Sequence, residues 1–126
     1  MANSAKDLSV GLIERDINGD HLWTWSFPGV SSELQNICVK RCELEGEGDF
    51  YLNYKSDWVY IKGSPSTKDL NPDVDFFYVC LCSKSFNPEK FSSLLNLLVH
   101  QYKISGDPTK ILEGYLSVNT TGKFTN

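Results

Sequence analysis

Val10-Gly-Leu-Ile-Glu-Arg-Asp-Ile-Asn-Gly-Asp-His-Leu-Trp-Thr-Trp-Ser-Phe-Pro28 reads as two apolar strands joined at Asn18-Gly19. Asn-Gly is the strongest short-range hairpin signal, because both central residues of a type I′ turn need positive φ. Leu8, Val10 and Leu12 alternate with Ser9, Gly11 and Ile13, which suits a strand with both faces at least partly covered. Past the turn, His21, Trp23, Trp25 and Phe27 are expected on one face, with Leu22, Thr24 and Ser26 on the other. Pro28-Gly29 ends the second strand.

Downstream, Ser31 or Ser32 can cap a helix whose stripe is Leu34, Ile37, Cys38, Arg41 and Cys42. The acidic stretch Glu43 to Asp49 reads as a solvated loop. Phe50 to Tyr54 and Trp58 to Ile61 form a second hairpin around Lys55-Ser56-Asp57, and Gly63 to Asp73 is expected to be a mobile loop. Val74 to Cys82 is apolar on both faces from Phe76 onward, the mark of an interior strand with helices on each side. Asn87-Pro88-Glu89 starts a helix for stated reasons. Asn accepts from orphan N–H groups, Pro loses nothing in the first turn, and Glu meets the positive dipole end. That helix carries Phe91, Leu94, Leu95, Leu98 and Tyr102 and ends near Gly106; Asp107-Pro108 starts another with Ile111, Leu112, Tyr115 and Leu116. The order is β-β-α-β-β-β-α-α. It predicts an α+β sandwich: a five-stranded, mostly antiparallel sheet with one helix on one face and two on the other.

The 126 residues are expected to form one domain, 1–126, large enough to need no covalent staples. A net charge of −4 argues against a general nucleic-acid binder and gives no support for electrostatic binding to anionic lipid. There is no run of 18 apolar residues, so direct membrane insertion is not expected. Met1 to Asp7 lacks the apolar core of a signal peptide, which points to the cytoplasm. In that setting the sequon Asn119-Thr120-Thr121 reads as a chance match, and disulfides are not expected.

Little in the chain suggests chemistry. Cys38 and Cys42 sit one helical turn apart and Cys80 and Cys82 share a strand face, but the Cys-x-x-Cys knuckles of structural zinc sites are missing. The cysteines are expected to act as small hydrophobes. His21 and His100 have no metal-binding spacing, and Gly46-Glu47-Gly48 lies in an acidic loop that would repel phosphate. Asp16 to Asp20 looks faintly like a calcium loop, with its glycine misplaced and the distant Glu missing. No catalytic residue, cofactor or metal is expected. Aromatic residues are the better lead. Trp23 and Trp25 read as core, whereas Tyr54, Trp58 and Tyr60 are the expected partner contact, since aromatics anchor interfaces.

Four segments also carry a family resemblance. Val10 to Pro28, Tyr54 with Trp58-Val-Tyr-Ile61, Phe86-Asn-Pro-Glu-Lys-Phe91, and Ser105 to Val118 together resemble small DENN-domain proteins at their N-terminal upstream-DENN, or longin, module. The resemblance implies a longin-like fold and a non-catalytic lobe of a regulator of the guanine nucleotide exchange factor class. Its partners would be a Rab-family small GTPase and the C-terminal DENN lobe of the same protein. It also implies recruitment to late endosomes or other vesicles, and a chain that is an N-terminal fragment of a longer protein. The alternative is a free-standing longin module that forms a homodimer or docks on SNARE or coat complexes through its first helix and third strand.

Overall fold

The computed structural model of the chain describes residues 8–67 and 69–121. The elements are β1 (Ser9–Asp16), β2 (His21–Phe27), α1 (Ser32–Cys42), β3 (Gly48–Tyr54), β4 (Asp57–Pro65), β5 (Val74–Ser83), α2 (Pro88–Ser105) and α3 (Pro108–Thr121). This is the element order expected from sequence. The strands form one sheet in the order β2-β1-β5-β4-β3, and all of its pairings are antiparallel. The apolar run of β5 takes the central place, buried from Phe76 to Ser83. Two hydrophobic layers result. Leu12, Phe77, Val79 and Leu81 pack under α2 and α3, while Ile13, Ile61, Tyr78 and Cys80 pack under α1.

Local chemistry sets the helix ends. Ser31 Oγ accepts from Leu34 N–H at 3.3 Å, and Asn87 Oδ1 accepts from Lys90 N–H at 3.2 Å. Pro88 follows the Asn87 cap, and Gly106 closes α2 in the left-handed region with φ 67°. Asp107 Oδ1 accepts from Thr109 N–H at 2.9 Å at the start of α3.

Four expectations need correction. The first hairpin is not a type I′ turn, because only Gly19 takes positive φ there (89°) and Asn18 does not. Instead Asp16 C=O accepts from Gly19 N–H at 3.0 Å, and Asp16 Oδ1 accepts from the N–H groups of Asn18 and Asp20, each at 2.9 Å. The Asp16 carboxylate organises a longer loop, which the dipeptide alone did not reveal.

The second correction concerns β2. Leu12 pairs with Trp25 and Ile13 with Trp23, so Thr24 is an extra residue and β2 is bulged. A bulge reverses the alternation. His21 and Trp23 therefore lie on the α1 side, and Trp25 and Phe27 on the α2/α3 side, rather than all four together. Gly11 makes room for this: a Cβ there would lie 2.3 Å from Cζ2 of Trp23.

The remaining two are boundaries. β3 begins at Gly48, inside the stretch expected to be a loop, and β4 runs on to Pro65. Lys62, Gly63, Ser64 and Pro65 pair with Val79, Tyr78, Phe77 and Phe76, so a long neighbour extends β4 into a segment of weak intrinsic propensity. Beyond β4, Thr67 Oγ1 donates to Lys103 C=O at 3.2 Å and Ser66 N–H to Asp75 C=O at 3.1 Å. Met1 to Asp7 and the side chains of the Asn119 sequon lie outside the described residues.

Candidate functional site

Where β3 and β4 meet the start of α2, the sheet carries a cluster of aromatic rings. Cross-strand partners share a face, and Tyr51 pairs with Tyr60 while Asn53 pairs with Trp58. Tyr51, Trp58 and Tyr60 therefore all face α2. Phe86, in the turn before α2, completes the cluster. Its ring centroid is 4.4 Å from that of Trp58, 5.5 Å from Tyr51 and 6.5 Å from Tyr60. Tyr60 also packs on Phe91 at 4.8 Å. Tyr60 is buried, but Tyr51 is 47% exposed and Phe86 51% exposed, so the cluster runs from core to solvent.

The Tyr60 hydroxyl holds this arrangement. It donates to Ser85 C=O at 2.8 Å and accepts from Asn87 N–H at 2.9 Å, which pins the segment carrying Phe86 against β4. Burial pushes its phenol pKa above the ordinary value, against the opposing effect of the Asn87 N–H. Lys84 Nζ ties the same segment to the β3–β4 turn, at 3.2 Å from Asp57 Oδ1 and 3.3 Å from Ser56 Oγ.

Beside the rings is a cavity of about 390 Å³ lined by Asp49, Tyr51, Tyr60, Pro88, Ser92 and Leu95. Asp49 bridges its walls, accepting from Lys62 Nζ at 2.9 Å and Ser92 Oγ at 2.7 Å. Partial burial opposes ionisation of Asp49, but the hydrogen bonds from Lys62 and Ser92 and the Lys62 charge outweigh it. The carboxyl titrates below its usual range. With one carboxylate already paired and aromatic walls around it, the arrangement suits contact with an apolar or aromatic group.

Of the three aromatics expected at a partner contact, the fold brings Trp58 and Tyr60 together but not Tyr54. Tyr54 is one residue beyond Asn53, so it points to the α1 face. There Lys55 Nζ lies 5.2 Å from its ring centroid and 3.8 Å from Glu33 Oε1. Sequence reasoning missed Tyr51 and Phe86. Phe86 had a readable signal: it precedes the Asn87 cap, with Phe91 five residues on, the spacing of a hydrophobic staple. Tyr51 had none, because the strand had to be placed at a sheet edge before its exposure was meaningful.

The four cysteines are all buried on the α1 side of the sheet. Burial raises the thiol pKa of Cys42, Cys80 and Cys82, which disfavours the thiolate needed for nucleophilic or metal chemistry. Among the described residues there is no group of three or more His, Cys, Asp and Glu side chains placed to hold a metal ion. Among them, too, no helix is long and apolar enough to cross a membrane. His21 lies 6.0 Å from the Tyr78 ring, and His100 is exposed on α2, so the two histidines share no site.

No protein-family model matches the chain. Curated proteins do. DENN domain-containing protein 10 of Homo sapiens is 34% identical over 97% of this chain and 36% of its own length. The Danio rerio protein of that name is 31% identical over 97% of the chain and 37% of its own, and the Dictyostelium discoideum protein is 32% identical over 92% and 37%. The chain spans about a third of the length of these relatives. Across nearly all of its sequence, it is a relative of the proteins named DENN domain-containing protein 10.

Proposed function

We propose that the chain is the N-terminal, longin-type lobe of a DENN-type regulator of Rab-family small GTPases in vesicle traffic. The observation that carries this reading is the 34% identity to human DENN domain-containing protein 10 over 97% of the chain. The geometry is in keeping with it: an aromatic surface suits a binding partner. Exchange of bound nucleotide can proceed by preferring the nucleotide-free GTPase over the loaded one, a difference in binding free energy that needs no proton transfer or nucleophile. The lobe would contribute one wall of the GTPase site, and a C-terminal DENN lobe the other. Trp58, rimmed by Tyr51 and Phe86, is the proposed contact, with Tyr60 positioning it from beneath; Tyr54 belongs to the opposite face. The protein would act from the cytoplasm on late endosomes or other vesicles.

The test measures release of a fluorescent GDP analogue from a panel of purified Rab GTPases, with the longest natural product of the gene as catalyst. Accelerated release from at least one GTPase is expected, together with tighter binding of its nucleotide-free form. Trp58→Ala should weaken that binding about tenfold, equivalent to about 1.4 kcal/mol, with the fold intact by circular dichroism. Failure to bind any nucleotide-free Rab overturns the function; unchanged binding by Trp58→Ala overturns the contact.

A further inference from the structure

The cavity between β3 and α2 has a cause in the sequence. α2 packs chiefly on β4 and β5, so β3, at the edge of the sheet, overhangs the helix. Pro88, Ser92 and Leu95 follow helical spacing and share the face of α2 turned to this overhang. Ser92 is the small residue of that face, although Phe91, Leu94 and Leu95 beside it are large and buried. The space it leaves is closed from the sheet side by Asp49, Tyr51 and Tyr60. Trp58 and Phe86, the rings offered to a partner, do not line it, so the cavity is a feature apart from that contact and has only Tyr51 and Tyr60 in common with it.

Its lining is of two kinds. Tyr51 and Tyr60, with ring centroids 6.1 Å apart, join Pro88 and Leu95 in an aromatic and hydrocarbon wall. The Tyr60 hydroxyl is already engaged by Ser85 C=O and Asn87 N–H, so this residue offers its ring. Asp49 supplies the polar part. Each of its oxygens accepts one hydrogen bond, Oδ1 from Lys62 Nζ and Oδ2 from Ser92 Oγ. A carboxylate has about four acceptor positions, so Asp49 can take a further donor. We propose that the cavity binds a free small molecule of one or two fused aromatic rings that carries a neutral N–H or O–H, as an indole or a phenol does. The rings lie against Tyr51, Tyr60 and Leu95, and the donor bonds to Asp49.

Size and charge select this class. A volume of about 390 Å³ is at the lower end of small-ligand pockets, which suits a compound of one or two rings. A cation would have to share Asp49 with the Lys62 ammonium, 2.9 Å from the same carboxylate, and an anion would meet Asp49 itself. A neutral donor uses the free acceptor capacity without adding a charge. A ring borne on a peptide would bring main-chain amides against Pro88, Leu95 and the tyrosine rings, where they would lose water and gain no partner. The hollow of about 560 Å³ at Ser93, Asn96, Leu97, His100 and Gln101 has none of this chemistry. Its described lining belongs wholly to α2, with no second element to close it.

The inference does not rest on the GTPase reading, and its test contains no GTPase. Indole is titrated into the full chain labelled with nitrogen-15, and amide shifts are followed by NMR. Saturable shifts centred on Asp49, Tyr51 and Ser92 are expected. 1-Methylindole keeps the rings and loses the donor, so it should bind about tenfold more weakly, the scale of one hydrogen bond to a charged acceptor. Asp49→Ala should remove that preference by weakening indole alone. Ser92→Phe should fill the cavity and abolish binding of both compounds. Tryptamine and indole-3-acetate, which add a positive and a negative charge, should bind no tighter than indole, and N-acetyltryptophanamide, the same ring on a peptide, should bind more weakly. No saturable shift with indole overturns the proposal, as do shifts centred elsewhere, equal binding of 1-methylindole, or a preference that survives Asp49→Ala. Tighter binding of either charged compound overturns the neutral donor, and tighter binding of N-acetyltryptophanamide overturns the free small molecule. The comparison of compounds on the unaltered chain needs no variant to fold, and circular dichroism checks those that are used.

Discussion

The two edges of the sheet are finished differently although both are rich in aromatic residues. β2 carries Trp23, Trp25 and Phe27, yet its bulge at Thr24 sends these rings to both faces, where Trp23 joins the α1 layer and Trp25 the α2/α3 layer. Phe27 meets Tyr115 of α3 at 5.8 Å, edge to face. The bulge also disturbs the backbone register that another strand would need. β3 has no bulge, and its rings are only partly used: Tyr51 stays nearly half exposed beside Trp58 and Phe86. Aromatic content therefore says little about which rings remain exposed. What matters is whether an edge is kinked into its own core or left straight and incomplete.

That contrast can be tested at each edge in turn. The largest effect is expected from Trp23→Ala, which takes the ring of the bulged edge out of the α1 layer. The loss should be about 3 kcal/mol or more, on the scale of emptying a large aromatic site, and visible as a lower urea midpoint. Gly11→Ala acts on the same corner with less force. Its Cβ would lie 2.3 Å from Trp23 Cζ2, and overpacking of this kind should cost about 1–3 kcal/mol in chemical denaturation.

At the β3 edge the expected effects on folding are smaller and the effects on binding larger. Tyr60→Phe removes the hydroxyl that serves both Ser85 C=O and Asn87 N–H, which should cost about 1–2 kcal/mol. It should also loosen Phe86, measurable as faster amide exchange from Ser85 to Asn87. Asp49→Asn should cost the least, about 0.5 kcal/mol at neutral pH, because the pair with Lys62 is part-exposed. Its signature is in acid. The folded-state pKa of Asp49 lies below the ordinary value, so its contribution is present above that value and disappears as pH falls through the lowered one. Thermal melts from pH 6 to pH 2 should thus show a smaller acid loss in Asp49→Asn than in the unaltered chain.

Helix caps were legible because they depend on neighbours in sequence. Ser31, Asn87, Pro88 and Gly106 all sit where short-range chemistry puts them. Turn geometry was less so. Asn18-Gly19 marked the hairpin, but the Asp16 side chain chose a different turn by taking two backbone N–H groups. The site was half legible: Trp58 and Tyr60 were foreseen, Tyr54 was placed with them although it lies on the other face, and Tyr51 and Phe86 were overlooked.

Sequence alone determined the element order, the central place of the Val74–Ser83 strand and the starts of α1 and α2. Each follows from hydrophobic periodicity and from hydrogen bonds spanning a few residues. The tertiary structure decided which strands became edges, where Thr24 bulged, how far β4 ran and which rings reached solvent. These depend on register between segments far apart in the chain, and a shift of one residue in register exchanges the two faces of a strand.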